Sequence, residues 1–348
     1  MKPLVSVLIP AYNTEEWIEG TLQSVLGQTW ERKEIIVVDD GSSDQTLAIA
    51  RQFESDMVHV CTQKNQGAAA ARNKAFSICQ GDYIQWLDAD DLLSPDKIAA
   101  QMEVVASTSG KRTLLSCPWA HFPYRTERAQ FISTPLWEDL SPVEWLLRKM
   151  AQNLHMQPAT WLVSRELTEA AGPWDTTLAV DDDGEYFCRV LLASDGVRFV
   201  PQPKVYYRAS GSRGLSYIGL SNKKLDSQWR SMQLHIGYLR SLEDSIRTRA
   251  ASLQYMQNWM KFFYPHRADL IEQMQSKAAE LGGKLEAPRL SWKYAWIATL
   301  FGWHMGRRAE LMLQGINATR VIAWDKAMLQ WENWTGMNRR GSQDHSLD

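Results

Sequence analysis

Three carboxylates in four residues close the apolar run Tyr83-Ile84-Gln85-Trp86-Leu87-Asp88-Ala89-Asp90-Asp91. Crowded acids repel, raise one another's pKa values and favour any cation that can sit between them. Asp88 and Asp90, at i and i+2 as the chain leaves a strand, can share one hard ion. Mg2+ or Mn2+ accepts a few carboxylates completed by substrate phosphates. The plainer alternative is a solvated loop in which Asp91 shapes the turn. A second acidic group is Asp39-Asp40-Gly41-Ser42-Ser43-Asp44. Its carboxylates can accept from a base N–H or a ribose hydroxyl, while Gly41 permits close backbone approach; phosphate would meet like charge there. The same run is also an ordinary turn with an Asx-type cap. A third group, Asp181-Asp182-Asp183-Gly184-Glu185, crowds a helix start. Repulsion there raises at least one pKa, as a general base requires, while the helix dipole keeps it ionised. Glu185 is assigned instead to an i, i+4 pair with Arg189. A cation for these acids is Arg72, in Asn65-Gln66-Gly67-Ala68-Ala69-Ala70-Ala71-Arg72-Asn73, one to two turns into an Ala-rich helix. A surface arginine on a tightly packed helix is the alternative. Trp174 is either the floor of an acceptor site or a core residue.

The elements that must position these residues alternate. Apolar runs at Val5–Ile9, Ile35–Val38, Met57–Cys61 and Tyr83–Leu87 read as strands, separated by helical periodicity. Asn13 with Glu16 reads as a capping box for the first helix. Ser94-Pro95-Asp96 reads as the N-cap and first turn of another. Strand–helix alternation with short turns implies βαβ units and a mostly parallel sheet, whose ligands bind at the carboxyl ends of the strands. Every early polar cluster follows a predicted strand. Beyond about residue 112 come strands near Leu114–Cys117, Ala159–Ser164, Val197–Val200 and Lys204–Tyr207, with an acidic helix near 183–193. From about 220 the pattern is helical, broken at Gly282-Gly283 and Pro288.

Bulk composition narrows the class. At 348 residues, 45% hydrophobic and 22% charged, the chain is an ordinary globular protein of more than one unit. Residues 1–219 carry 20 Lys+Arg against 28 Asp+Glu, and residues 220–348 carry 18 against 12, so an acidic front precedes a basic tail. Cys61, Cys79, Cys117 and Cys188 are too scattered for a zinc array and fit a reducing compartment. No run reaches the roughly 18 apolar residues of a spanning helix. These features predict a cytoplasmic protein that binds no nucleic acid.

Taken together, VSVLIPAYN, IIVVDDGSSDQT, NQGAAAARNKA, GDYIQWLDADD and GPWDTTLAVDDDGEYFCRVL resemble the family 2 glycosyltransferases. Each segment alone is modest; five in order over residues 4–210, about 60% of the chain, are specific. The resemblance implies the GT-A fold, a Rossmann-like, mostly parallel central sheet flanked by helices, over residues 1–219. A helical C-terminal region, 220–348, is appended for packing, oligomerisation or membrane-surface contact. It implies an inverting transferase that moves one sugar from a nucleoside-diphosphate sugar, UDP-sugar by default, to a glycan, lipid-linked or other hydroxyl acceptor. By the same resemblance Asp40, with Asp39, reads the base near Pro10, Ala11 and Tyr12. Arg72 serves the nucleotide, as do Asp88 and Ala89. Asp88 and Asp90 match the D-x-D motif for Mn2+ or Mg2+, with Asp90 the direct ligand. Asp182 and Asp183 match the acidic pair whose second member is the catalytic base.

Two departures qualify the match. Many relatives place a metal-binding His after the final strand, whereas Tyr206-Tyr207-Arg208-Ala209-Ser210-Gly211-Ser212-Arg213 has none, leaving Arg208 or Arg213 to contact phosphate. The Q-x-x-R-W motif of processive synthases is absent, Gln228-Trp229-Arg230 being in the wrong order, so single addition is expected. The rival functions are a non-catalytic nucleotide-sugar-binding protein with a helical interaction module and a sugar nucleotidyltransferase. Pro10-Ala11-Tyr12-Asn13 argues against the latter, which needs a Gly-rich phosphate loop there. The tail holds 8 of the 16 tryptophans, and Trp292, Trp296 and Trp303 fall near helical spacing with basic neighbours. That suits a helical subdomain, a homo-oligomer contact or peripheral contact with the inner face of the membrane.

Overall fold

Along strands Val5–Ala11 (β1) and Lys33–Asp39 (β2), neighbouring side chains are apolar on both faces, the pattern of a parallel sheet covered on each side. Val7, Ile9, Ile35 and Val37 enter one core; Leu8, Ile36 and Val38 enter the other. The computed structural model describes residues 2–107, 112–209 and 221–343. With Val58–Thr62 (β3), Tyr83–Trp86 (β4) and the edge strand Val163–Ser164, the sheet runs β3-β2-β1-β4 and then that edge strand. The first four strands are parallel and the edge strand is antiparallel to β4. Helices Ile18–Leu26 (α1), Thr46–Arg51 (α2) and Ala68–Ile78 (α3) connect the strands. The order changes direction between β1 and β4, which creates a crevice at their carboxyl ends.

The remaining elements of this unit support that sheet. Leu92–Leu93 (β5) pairs antiparallel with Val205–Arg208 at Leu93–Val205 and Leu92–Tyr206. Helix Asp182–Ala193 packs against Arg165–Ala171 and Asn222–Leu242. Helices Ile246–Phe263 and Ala268–Glu280 complete the unit, which comprises residues 1–120, 131–207 and 218–288. A second unit gathers residues 121–130, 208–217 and 289–348, including helices Trp292–Phe301 and Trp303–Gln343. All four cysteines are free, and Cys79, Cys117 and Cys188 are buried. Among the described residues, no helix is long and apolar enough to cross a membrane.

Several local expectations fail for tertiary reasons. Asn13 caps nothing: it adopts a positive φ of 51°. Its backbone N–H donates to Ser42 Oγ, and its Oδ1 accepts from the Ser43 N–H. Helix α1 starts only at Ile18. Ser94 is likewise no N-cap, since the helix there begins at Lys97; its hydroxyl contacts Asp96 and accepts from the Lys204 N–H. The strand expected over 159–164 shrinks to Val163–Ser164, behind a short turn of 3-10 helix at Pro158–Thr160. Trp303 begins a new helix after Gly302, which turns the chain at φ 85°, so it does not continue the Trp292–Trp296 stripe.

The amino-terminal edge of the sheet is closed by Ser6, Glu34 and Gly81. Gly81 N–H lies 2.8 Å from Ser6 Oγ and 3.0 Å from Glu34 Oε1. A Cβ at residue 81 would stand 2.6 Å from the Ser6 backbone nitrogen and 2.9 Å from the Tyr83 carbonyl oxygen, so backbone would have to move. Gly81→Ala should therefore destabilise the protein by roughly 1–3 kcal/mol. A lowered urea midpoint at unchanged slope would register this; an unaltered midpoint would show that the edge yields freely.

Candidate functional site

The carboxyl ends of β1, β2 and β4 deliver Ala11, Asp39 and the Asp88–Asp91 turn to one edge. Asp40 N–H donates to the Ala11 carbonyl at 2.8 Å, tying the first two ends together. The Asp39 carboxylate is buried and accepts from Gly41 N–H, Ser42 N–H and the Thr62 hydroxyl. Asp40 is buried too, accepting from Gln63 Nε2, Gln66 N–H and Gly67 N–H at 2.8–2.9 Å. It thereby braces the loop that launches α3. Gly41 sits at φ 74°, and its space is closed by Asn65 N at 3.0 Å from where a Cβ would lie. Pro10 is half-buried, whereas Tyr12 is 48% exposed and offers an aromatic face at the end of β1.

One turn into α3, Arg72 is buried and spans two acids far apart in sequence. Nη2 lies 2.7 Å from Asp88 Oδ1 and Nη1 lies 2.9 Å from Asp182 Oδ2. The guanidinium carbon sits 4.4 Å above the Trp174 ring, whose other stacking partner is Tyr186 at 4.1 Å and 7°. Trp174 is only 2% exposed, so it is a platform for the arginine and offers no open floor to an acceptor. Asn73, next along α3, fixes that tryptophan by exchanging two hydrogen bonds with its backbone, at 3.0 and 2.8 Å. Burial alone would lower the Arg72 pKa, but Asp88 and Asp182 together with Asp183 raise it, so the cation is permanent. Arg72 Nε is buried with no acceptor among the described residues.

The acidic pair sits at the start of the helix Asp182–Ala193. Asp181, just before it, has a left-handed backbone at φ 58°. Its carboxylate accepts from Ser231 Oγ at 2.6 Å and Gln228 Nε2 at 3.2 Å, both from the following long helix. That clamp sets the direction in which Asp182 and Asp183 leave the turn. Desolvation raises the Asp182 carboxyl, with Asp88 and Asp181 adding to it and Arg72 opposing. Asp183 is pushed up to about 7, first by desolvation and then by Asp182 and Asp181, against the pull of Arg72. Glu185 forms the expected bidentate pair with Arg189 and also accepts from Tyr238 Oη at 2.6 Å.

The D-x-D segment is shaped by its neighbours. Asp91 N–H closes the turn onto the Asp88 carbonyl at 3.1 Å. The Thr21 hydroxyl of α1 lies 2.9 Å from both the Ala89 and Asp91 carbonyls. Asp88 and Asp90 are half-buried, and Ala89 is buried between them. Strand pairing of β5 with residues 205–206 brings Tyr207 beside this turn. Its phenol pKa is raised by burial first and then by Asp91, Asp88, Asp183 and Asp90. Tyr207 is thus a shared electrostatic neighbour of both candidate metal ligands and the candidate base, and it is absent from the site residues expected from the sequence. Its place as the last residue of a predicted strand, Lys204–Tyr207, is the available signal. The second unit holds Arg208, buried with its guanidinium 4.3 Å from the Phe122 ring and a hydrogen bond to the Pro123 carbonyl. Arg213 lies outside the described residues.

Among the described residues, no three His, Cys, Asp or Glu side chains converge on one cation position. Asp88 and Asp90 nevertheless have the right chemistry for a hard divalent ion: two partly solvated carboxylates, with the remaining ligands left to phosphate and water.

Known proteins resemble the chain in sequence and in fold. The family profile described as Glycosyl transferase family 2 matches residues 6–154. The putative teichuronic acid biosynthesis glycosyltransferase TuaG of Bacillus subtilis is 45% identical over 111 residues, 31% of this chain. That match spans 44% of TuaG, less than half its length. Among solved structures, residues 1–349 of S. aureus TarS in complex with UDP-GlcNAc superpose with a TM-score of 0.62 at 17% identity. The superposition covers 81% of this chain and 80% of that one. The mannosyltransferase PcManGT of Pyrobaculum calidifontis, in complex with GDP-Man and Mn2+, gives 0.55 at 19% identity over 94% and 88%. The profile, the sequence relatives and the shared architecture lead to one conclusion: residues 6–154 are a family 2 glycosyltransferase region, and the chain has the GT-A fold.

Proposed function

We propose that the protein transfers one sugar from a nucleoside-diphosphate sugar, UDP-sugar by default, to an acceptor hydroxyl with inversion, Asp183 acting as general base. The observation that carries this reading is the acidic pair Asp182 and Asp183, held at the carboxyl edge of a parallel sheet by the buried Arg72–Asp182 ion pair, with desolvation and acidic neighbours pushing the Asp183 carboxyl up to about 7. A base matched to neutral pH combines the right protonation state with driving force for proton transfer. The nucleotide sugars named with TarS and PcManGT support the donor class, and the Mn2+ named with the latter supports a divalent metal.

In this reading the acceptor oxygen attacks the anomeric carbon as the bond to the diphosphate breaks. Asp183 takes the hydroxyl proton, and the nucleoside diphosphate leaves with the bonding electrons. Asp182 stays on Arg72 and so keeps its neighbour oriented. Asp88 and Asp90 would hold Mn2+ or Mg2+, which supplies charge neutralisation for the departing pyrophosphate. Pro10, Ala11, Tyr12, Asp39 and Asp40 form the nucleotide end, with Tyr12 providing an exposed face for the base. Residues 1–219 carry the chemistry and 220–348 the helical additions, in a cytoplasmic protein whose acceptor is a glycan, a lipid-linked sugar or another hydroxyl compound.

Asp183→Asn should reduce transfer by about 10²–10⁴-fold while leaving UDP binding with Mn2+, followed by calorimetry, within about threefold. Full activity in that variant would refute the base assignment. Wild-type protein that binds the donor yet never turns it over would favour the non-catalytic binding protein.

The same group makes a stability prediction of definite sign. Its folded pKa lies above the unfolded value, so both states hold the proton at low pH. As pH rises from about 4 to 7 the unfolded carboxyl ionises first and stability is lost. Asp183→Asn should therefore gain on the order of 1–3 kcal/mol at pH 8, discounted for its partly solvated edge, and nothing near pH 3.5. Urea unfolding at the two pH values measures this.

Arg72→Met should move the acid limb of kcat/KM to higher pH, because the cation that favours both carboxylates is gone. It should also destabilise the protein by roughly 3–5 kcal/mol. A pH–rate profile with an unmoved limb would separate Arg72 from Asp183.

A further inference from the structure

The second unit exposes an apolar stripe that its own chain leaves uncovered. On the helix Trp292–Phe301, Trp292, Trp296 and Leu300 recur at i, i+4 and i+8 and are 81%, 58% and 69% exposed. On the helix Trp303–Gln343, Trp324, Trp331 and Trp334 are each more than half exposed. The two helices are packed closely where Gly306 meets Leu290 and Ala298. Spacing of three and four residues puts such side chains on one helix face.

Charge on these helices is one-sided. Residues 289–343 hold eight Lys+Arg against three Asp+Glu. Each of those acids is ion-paired: Glu310 with Arg307, and Asp325 and Glu332 with the one guanidinium of Arg125. Apart from Glu127 of the 121–130 loop, an exposed acid among them, what faces a partner is therefore mainly tryptophan and cation. The two occur together in a built cluster. Asp325, 1% exposed, accepts from the Tyr124 and Arg125 N–H groups and from Arg125 Nε, locking the 121–130 loop to the long helix. Arg125 and Arg128 then lie 5.5 and 5.3 Å from the Trp324 ring, and Lys326 lies 5.2 Å from the Tyr124 ring.

We propose that this surface, formed by the two helices and the 121–130 loop, lies in the interface of an anionic phospholipid bilayer. Tryptophan suits that position because its indole has a large apolar body and an N–H that headgroups can satisfy. A seam between two copies would instead bring these like charges together. In-plane binding also agrees with the absence, among the described residues, of any helix able to span. The inference is independent of the sugar-transfer reading, and either can fail alone.

The test is co-sedimentation of the full chain with vesicles of phosphatidylcholine alone or of phosphatidylcholine with phosphatidylglycerol. Partitioning to the anionic vesicles should be at least about tenfold stronger, should weaken with added salt, and should shift tryptophan emission to the blue. Trp292→Ala/Trp296→Ala should lose about tenfold of that partitioning. Lys293→Glu/Arg128→Glu should lose the preference for phosphatidylglycerol, with circular dichroism unchanged in both variants. No binding, or equal binding to both vesicles, overturns the proposal. So does a concentration-dependent dimer in light scattering that the tryptophan changes abolish.

Discussion

A single buried guanidinium organises the candidate site. Arg72 is fixed by Asp88 from the end of β4 and by Asp182 from a helix more than a hundred residues later. Removing a guanidinium from water is costly, and the cost is met only when carboxylates occupy its donors and a polarisable surface covers its face. Here Trp174 supplies that surface, itself stacked on Tyr186 and clamped through its backbone by Asn73. Each member depends on the next: Asn73 and Arg72 share one helix, so the residue that pins the platform and the residue that rests on it move together. The arrangement leaves Asp183 outside the ion pair. It feels the low-dielectric surroundings and its acidic neighbours more than it feels Arg72, and its proton affinity rises accordingly.

The fold provides the means for such distant residues to meet. Parallel strands deliver their carboxyl ends to one edge, and βαβ connections return the chain to that edge at each crossing. Asp40 uses its carboxylate to brace the 63–67 loop, which starts α3 at the height where Arg72 reaches Asp88. On the other side, Asp181 in a left-handed conformation is held by Ser231 and Gln228. The helical segment after residue 220 thus enters the geometry of the acidic pair without contributing an acid of its own.

Much of this was legible in the sequence, for reasons that also explain the exceptions. Apolar runs followed by acids locate strands and their carboxyl ends, because burial on both faces favours apolar residues inside the sheet, with Ser6 and Gln85 as hydrogen-bonded exceptions. Arg72, in an Ala-rich run without acids, is a weak signal taken alone, and only the fold sets it between Asp88 and Asp182. Asn13 misled because its spacing to Glu16 satisfies a local capping rule, whereas Ser42 and Ser43 from the neighbouring loop offered better partners. The same competition claimed Ser94. Trp174 could not be assigned from spacing, since the arginine above it lies 102 positions away. Tyr207 reaches the acids only through the register of a two-residue strand pairing.

The pairing of Arg72 with Asp88 has a consequence for cation binding. One oxygen of Asp88 is taken by the guanidinium, so any divalent ion at the D-x-D segment competes with, or shares, a carboxylate that already has a permanent partner. A protein-only cage would then be weak, as two partly engaged carboxylates cannot replace most of an ion's hydration shell. Phosphate oxygens change the balance because they bring both ligands and negative charge. In the proposed reaction the acidic segment would favour an ion that arrives with a pyrophosphate over an ion alone. Crowding at Asp88 to Asp91, which in isolation looks like a generic cation trap, would then be selective, because Arg72 claims part of it.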